Sequence, residues 1–155
     1  MRDRLATFVA TGFGVGRLPV APGTAGSVLG VAYWWLLRQS GNWWLYGLVV
    51  LAGLMVAVVC AGRAAIVMNK PDPAVVVIDE LAAVPVALAG IGTVWWQLAL
   101  GFALFRLFDI SKPPPVRQAQ ALPGGWGIVV DDVLAAVYAC AGTHAAIWFT
   151  NWLQR

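Results

Sequence analysis

Charged residues are scarce in this sequence of 155 residues, of which only 11% are Asp, Glu, Lys or Arg. Soluble domains carry about 25% charged residues. Hydrophobic residues make up 61% of the chain, and nine residues are Trp. This balance argues against an ordinary soluble domain and favours an integral membrane protein. An unusually apolar soluble helical bundle is the alternative with a similar composition.

The sequence also contains few cysteine and histidine residues and has a small net charge, and each of these observations argues against particular functions. Cys60 and Cys140 lie inside apolar segments, so neither a disulfide framework nor a cysteine zinc motif is expected. His144 is the only histidine, and its place late in the last apolar segment favours a packing role. A net charge of +3 without a basic stripe suits anionic membrane lipid and argues against nucleic acid as a partner.

Five apolar segments predict four or five helices in one domain over residues 1–155. The N-terminus lacks the long apolar core and small-residue cleavage site of a signal peptide. Residues 43–62 carry no charge over 20 positions, which is enough to cross a bilayer. The first segment is short, so it either tilts across the bilayer or is re-entrant. We therefore expect an all-α, polytopic membrane helical bundle with apolar segments at residues 27–37, 43–62, 74–92, 93–110 and 127–153.

The basic residues predict the orientation of this bundle. Alternating five helices across the membrane puts residues 1–23, 63–74 and 111–127 on one side, together with eight of the ten basic residues. The positive-inside rule makes this side cytoplasmic, and the paired tryptophans fall at the opposite end as an aromatic belt. The scarce polar residues therefore collect at the cytoplasmic ends of the helices, in a polar site that faces the cytoplasm.

A glycine- and proline-rich segment, residues 12–27, precedes the first apolar helix. Its glycine spacing superficially resembles that of a dinucleotide-binding loop, but no strand precedes it and no acidic residue follows at the required distance, which argues against that interpretation. Residues 1–23 are therefore interpreted as a loop that ends near Thr24 and Ser27. Such a loop can direct backbone N–H groups at a phosphate. Alternatively, Thr24 is a helix N-cap and the glycines serve tight turns.

Five of the seven acidic residues are expected at one depth in this bundle: Asp79, Glu80, Asp109, Asp131 and Asp132. Carboxylates gathered in an apolar setting repel one another unless protons or a cation neutralise them. Hard oxygen ligands select Mg²⁺, Ca²⁺ or Mn²⁺ rather than zinc. The basic residues Arg106 and Lys112 nearby suit a phosphoryl group beside such a metal.

The spacing of these residues adds detail. Arg106 and Asp109 are three apart and share a helix face. Adjacent acids diverge by about 100° on a helix, so one member of each pair is expected to bind metal while the other supports it or caps the helix. Purely structural acids, which stabilise helix dipoles or form ion pairs, are the alternative.

Two other functions would also use intramembrane acids. A transporter or ion-binding bundle predicts acids near the middle of the membrane, whereas the topology puts them at helix ends. A CDP-alcohol phosphotransferase would show the pattern DG…AR…G…D…D, which this sequence lacks.

Four motifs together resemble the phosphatidylglycerophosphatase A family: GFGVGRLPVAPGTAGS at residues 12–27, IDE at 78–80, FRLFDISKPPP at 105–115 and GGWGIVVDD at 124–132. The resemblance covers nearly the whole chain. It implies Mg²⁺-dependent hydrolysis of phosphatidylglycerophosphate to phosphatidylglycerol and phosphate, a step of phospholipid biosynthesis at the bacterial cytoplasmic (inner) membrane.

The resemblance also implies roles for the motif residues. Asp79, Glu80, Asp131 and Asp132 would be catalytic, and these four together with Asp109 would be the metal ligands. Arg106 and Lys112 would face the phosphate of the substrate, with Thr24 and Ser27 of the glycine-rich segment as further candidates.

Overall fold

A computed structural model describes residues 2–155, and over this range the chain is helical with no strand. The prediction of an all-α fold is confirmed. A single 3₁₀ turn, Val15–Arg17, follows the first helix. The seven α-helices are α1 (Arg2–Ala10), α2 (Pro22–Arg38), α3 (Trp43–Met68), α4 (Ile78–Ala87), α5 (Trp95–Ser111), α6 (Val116–Ala119) and α7 (Gly125–Leu153).

The short helix α4 lies at the centre of the molecule, where it packs against α2, α3 and α7. The apolar segment 74–92 was predicted to be one long helix, and this is wrong. Residues 74–77 before α4 form a turn and irregular backbone, in which Val76 and Val77 are buried and the Val77 N–H donates to the Ala10 carbonyl at 2.9 Å. At the other end Gly90 adopts a positive φ of 73°. A helix of ten residues is about 15 Å long and cannot cross a bilayer.

The N-terminal segment is more ordered than the sequence suggests. Residues 1–23 were interpreted as a loop, but α1 occupies Arg2–Ala10 and packs against α3. Asp3 and Arg63 join these two helices through an exposed salt bridge of 2.6 Å.

Helix α2 begins five residues earlier than the apolar pattern indicates. Pro22 occupies its first turn, where a missing N–H costs nothing. Thr24 therefore lies inside the helix, and the N-cap is Ala21 in the left-handed region at φ 46°. The alternative in which Thr24 caps the helix is wrong.

Two helices are long and apolar enough to cross a membrane, namely α3 with 26 residues and α7 with 29. The four or five spans expected from the sequence are not shown by helix length and composition. Exposed apolar side chains, such as those of Leu48, Leu51 and Val59, occur along the length of α3. One tryptophan of the expected aromatic belt belongs instead to the core, because Trp34 is 1% exposed and its indole N–H donates to the Leu88 carbonyl.

Glycines allow close helix crossings on both sides of α4. A Cβ on Gly62 of α3 would lie 2.9 Å from the Gly125 nitrogen of α7. A Cβ on Gly30 of α2 would lie 2.7 Å from the Val84 Cβ of α4. Contacts this short leave no room for a side chain, so Gly62 and Gly30 both serve close helix packing.

Candidate active site

Three carboxylates from two helices meet at one end of the bundle. Asp79 and Glu80 belong to the first turn of α4, and Asp132 is the eighth residue of α7. One oxygen from each lies within 4.8 Å of the other two. We call these residues the carboxylate trio. In the part of the chain that the structure describes, Asp79 Oδ1, Glu80 Oε2 and Asp132 Oδ2 are buried without a hydrogen-bond partner.

Burial makes the charge of the trio costly. It raises the pKa of Asp79 well above its usual range, and the neighbouring charges of Glu80 and Asp132 raise it further. Burial also raises the pKa of Glu80, although the Asp79 hydrogen bond and Arg106 act in the opposite direction. Ionised carboxylates at this position therefore require a positive charge beside them.

A divalent metal ion fits this arrangement. The trio offers three buried oxygen ligands, which are the ligands that Mg²⁺, Ca²⁺ and Mn²⁺ prefer. Their unpartnered oxygens would gain a partner, and the repulsion between the carboxylates would be offset. The trio can therefore bind a metal ion of this class.

Arg106 of α5 lies beside the trio. Its Nη1 donates to Asp109 Oδ2 at 2.7 Å and to Ser27 Oγ at 3.2 Å, and it lies 3.6 Å from Glu80 Oε1. The Nε–H is buried and has no hydrogen-bond partner among residues 2–155. A buried guanidinium with an unused donor is suited to an anion such as phosphate.

Lys112 is the second cation of the site. It follows α5 in the left-handed conformation, at φ 44°. Its Nζ contacts Asp131 Oδ2 at 2.5 Å and Asp109 Oδ1 at 3.6 Å. Burial works to lower the pKa of Lys112, but the hydrogen bond and charge of Asp131 outweigh it, so the pKa is raised. The ammonium group therefore stays protonated at neutral pH.

A cavity of about 400 Å³ joins these groups. Its walls hold all five acids singled out in the sequence, both cations and Thr24. Ser27 lies behind the wall, fully buried, and reaches the site through Arg106. Gly23 lies in the wall where a Cβ would collide with Glu80 Oε1, so a side chain there would displace the carboxylate.

The adjacent acids differ in how they are arranged. At the second pair the side chains diverge as expected, since Asp132 joins the trio and Asp131 contacts Lys112. At the first pair both Asp79 and Glu80 reach the trio, so the geometry does not divide them into a ligand and a supporting residue. Side chains in a helix's first turn lean towards its N-terminus, which lets both meet beyond the helix end.

Sequence reasoning missed Asp72, an exposed residue of the connector between α3 and α4 that lines the same cavity. Its position between Pro71 and Pro73 indicates a turn and gives no sign of this role. The sequence offered one indication of a role for Asp72, which is that it is one of only seven acidic residues in the chain.

Comparison with known proteins now identifies the family. The family model described as "Phosphatidylglycerophosphatase A" matches residues 8–147. The chain belongs to the phosphatidylglycerophosphatase A family. The resemblance seen in the sequence motifs is thereby confirmed, and the protein is a phosphatase, a phosphoric monoester hydrolase.

Three bacterial relatives show how far this likeness extends. Phosphatidylglycerophosphatase A of Escherichia coli K12 is 37% identical over 83% of this chain and 76% of its own length. Its namesake in Haemophilus influenzae is 42% identical over 84% of this chain and 82% of its own. A Bacteroides thetaiotaomicron protein, provisionally named a phosphatidylinositol-3-phosphatase, is 35% identical over 93% of this chain and 94% of its own length. No solved structure matches.

The bacterial phosphatidylglycerophosphatase A relatives and the two long apolar helices together indicate a membrane-associated bacterial protein.

Proposed function

We propose that this protein hydrolyses the terminal phosphomonoester of phosphatidylglycerophosphate, with Mg²⁺, to give phosphatidylglycerol and phosphate. The observation that carries the proposal is the carboxylate trio, with three unpartnered oxygens, beside the unused Nε–H of Arg106. Metal ligands and an anion-binding donor face one cavity, which is the combination a phosphatase needs. Family membership supports the choice of substrate.

The proposed roles follow from the contacts. Asp79, Glu80 and Asp132 hold the metal, while Asp109 and Asp131 complete the acidic set. The last two also fix the cations, since Asp109 contacts Arg106 and Asp131 contacts Lys112.

The phosphate group itself would bind between the two cations. Arg106 offers its Nε–H, and Lys112 offers a charged ammonium group. Thr24 contributes from the cavity wall, and Ser27 acts by orienting Arg106.

The reaction is a displacement at phosphorus. A water oxygen forms a bond to phosphorus while the bond between phosphorus and the glycerol oxygen breaks. One proton of the water passes to a carboxylate of the set, and the same carboxylate then gives this proton to the leaving glycerol oxygen. Arg106 and Lys112 balance the charge that spreads over the phosphoryl oxygens. Bound Mg²⁺ supplies polarisation of the phosphoryl group and a lower pKa for water.

The membrane placement of the site is part of the proposal. Helices α3 and α7 cross the bilayer, and the flanking apolar helices α2 and α5 extend the bundle towards the multi-pass arrangement expected from the sequence. Most basic residues lie in the segments at the end that holds the site. By the positive-inside rule the acidic cavity faces the cytoplasm of the bacterial cell.

The decisive experiment measures phosphate release from phosphatidylglycerophosphate in detergent micelles, with Mg²⁺ and with a chelator. The wild type should release phosphate only with Mg²⁺, and Asp132→Asn should lower the rate by about a hundredfold or more. Asp3→Asn is the matched control, because Asp3 pairs with Arg63 outside the site. No release from folded wild type would reject the proposal.

A second candidate substrate comes from the Bacteroides relative, which covers almost the whole chain. Phosphatidylinositol 3-phosphate should therefore be assayed in parallel. We expect the specificity constant for phosphatidylglycerophosphate to be the larger of the two, and the reverse order would favour a phosphoinositide phosphatase.

A further inference from the structure

A second cavity, of about 630 Å³, adjoins the acidic one. Its walls are the last turns of α3, the first turn of α7 and the connector that follows α3. Asp72 and Ile128 line both cavities, so the two spaces meet at these residues. A molecule bound at the carboxylate trio can extend past Asp72 into the second cavity.

Among the described residues, Lys70 is the only cation in the wall of this second cavity. Asn69 ends α3 in the left-handed conformation, and the Lys70 N–H then donates to the Ala65 carbonyl at 3.1 Å. The backbone of Lys70 is therefore fixed against the helix end.

The charge of Lys70 has no salt-bridge partner in the part of the chain that the structure describes. Over residues 2–155 no carboxylate lies within salt-bridge distance of it, whereas Arg63, two turns earlier on α3, pairs with Asp3 at 2.6 Å. The ammonium group can therefore receive an anion from outside the chain.

The second cavity lies at the level where lipid head groups would be. It is bounded by the C-terminal end of α3 and the N-terminal end of α7, the two helices able to span a membrane. Small residues, Gly62 and Ala65 on α3 and Gly127 on α7, form the wall between these ends. A lipid whose acyl chains lie beside these helices would bring its head group to this opening.

We infer that the second cavity binds the internal phosphodiester of the lipid substrate through Lys70, while Asp72 accepts a hydrogen bond from the hydroxyl of the linking glycerol. This inference rests on the proposed function. Phosphatidylglycerophosphate has a phosphomonoester and a phosphodiester joined by a glycerol with one free hydroxyl. The protein presents partners in the same order: the trio with Arg106 for the phosphomonoester, Asp72 for the glycerol hydroxyl and Lys70 for the phosphodiester. The second cavity thus selects lipids that carry both phosphates.

Steady-state kinetics with phosphatidylglycerophosphate in mixed micelles tests this inference. Lys70→Ala should raise KM about tenfold, the effect of losing one charge-assisted hydrogen bond, with a smaller change in kcat. Lys70→Arg should restore most of the affinity, since it keeps the charge. Inhibition by inorganic phosphate, which needs only the acidic cavity, should be the same in Lys70→Ala and wild type.

Arg117→Ala is the matched control. Arg117 is an exposed cation at the same end of the molecule, and it lines neither cavity. Its removal should leave KM unchanged. An equal rise in KM for both variants would mean general attraction to the lipid surface and would overturn the inference. An unchanged KM for Lys70→Ala would overturn it as well, whereas an inactive wild type would reject the proposed function itself.

Discussion

Arg106 combines fixed orientation with an unused donor. Ser27 from α2 and Asp109 from its own helix hold Nη1, and Glu80 lies near the same atom. Its Nε–H has no partner in the described chain. Because three helices determine where the guanidinium lies, its free N–H is already directed before a phosphate arrives, and little ordering is left to the binding step.

Replacing Arg106 with lysine separates charge from geometry. Arg106→Lys keeps the positive charge but removes the Nε–H and the planar fork. We expect kcat/KM for phosphatidylglycerophosphate to fall about tenfold to a hundredfold. Arg117→Lys, the same change at an exposed position, should have no effect. Equal activity of Arg106→Lys and wild type would show that charge alone is sufficient at this position.

The carboxylate trio predicts a stability effect that does not depend on catalysis. Mg²⁺ should raise the melting temperature of the wild type, because it binds the folded protein and offsets repulsion among buried carboxylates. Asp79→Asn should lose this shift. In the presence of a chelator it should melt above wild type, because Asn avoids the free-energy cost of burying the Asp79 carboxyl, either as a charge or with a proton taken up on folding.

Thermal unfolding in detergent, with Mg²⁺ and with EDTA, measures both effects. Asp3→Asn should retain the full Mg²⁺ shift, since Asp3 lies on the surface helix α1. A Mg²⁺ shift that persists in Asp79→Asn would argue against Asp79 as a ligand.

At the scale of helices, the position of α4 governs the site. The trio forms because the first turn of α4 meets the second turn of α7, and α2 supports α4 from the other side. The approach of α2 to α4 depends on Gly30, where a Cβ would lie 2.7 Å from the Val84 Cβ and 2.8 Å from the Leu81 carbonyl oxygen. Neither neighbour can move without displacing α4.

Gly30→Ala should therefore destabilise the protein by about 1–3 kcal/mol, the usual cost of overpacking a core. The melting temperature should fall, and activity should fall with it as α4 moves away from α7. Gly47→Ala is the matched control, because a Cβ on Gly47 of α3 would meet nothing within 4 Å. A Gly30→Ala protein as stable as Gly47→Ala would show that α2 and α4 adapt to the added methyl group.

The sequence predicts the long helices well and the short ones poorly. Helices α3 and α7 follow directly from long apolar segments. The segment 74–92 is equally apolar, but its residues are buried by tertiary contacts and only ten of them are helical. Hydropathy cannot distinguish buried irregular backbone from a helix, and a short helix such as α1 depends on packing against α3.

The acids of the candidate site could be named from the sequence because few charged residues occur in so apolar a chain. The sequence could not predict that three of these acids form the trio while Asp109 and Asp131 contact the cations, since this depends on how the helices approach each other. Asp72 and Lys70 lie in a connector, and their nearness to the cavities is set by the fold alone.

For the whole molecule, the two ends have different chemistry. The acidic cavity and its cations occupy one end. At the opposite end, the turn between α2 and α3 and residues 90–92 line one cavity, and the Arg38 guanidinium lies over the Trp34 ring in a cation–π contact. This difference between the ends is what the proposed membrane orientation uses.

Cysteine labelling in intact cells tests the orientation. In a background with Cys60→Ala and Cys140→Ala, Ser40→Cys should react with a membrane-impermeant maleimide from outside. Arg117→Cys should react only after the membrane is permeabilised. Both positions are exposed and lie at opposite ends of the bundle. The reverse pattern would place the acidic cavity outside the cytoplasm.

The separation of the trio along the chain has a consequence for biosynthesis. Two of its carboxylates are made at residues 79 and 80, but the third comes at residue 132, in the last helix. A nascent chain that has inserted only its first helices therefore has no complete carboxylate trio. If the trio holds the metal as proposed, lipid hydrolysis begins only after α7 has left the ribosome and packed against α4, and enzymatic activity reports that membrane insertion is finished.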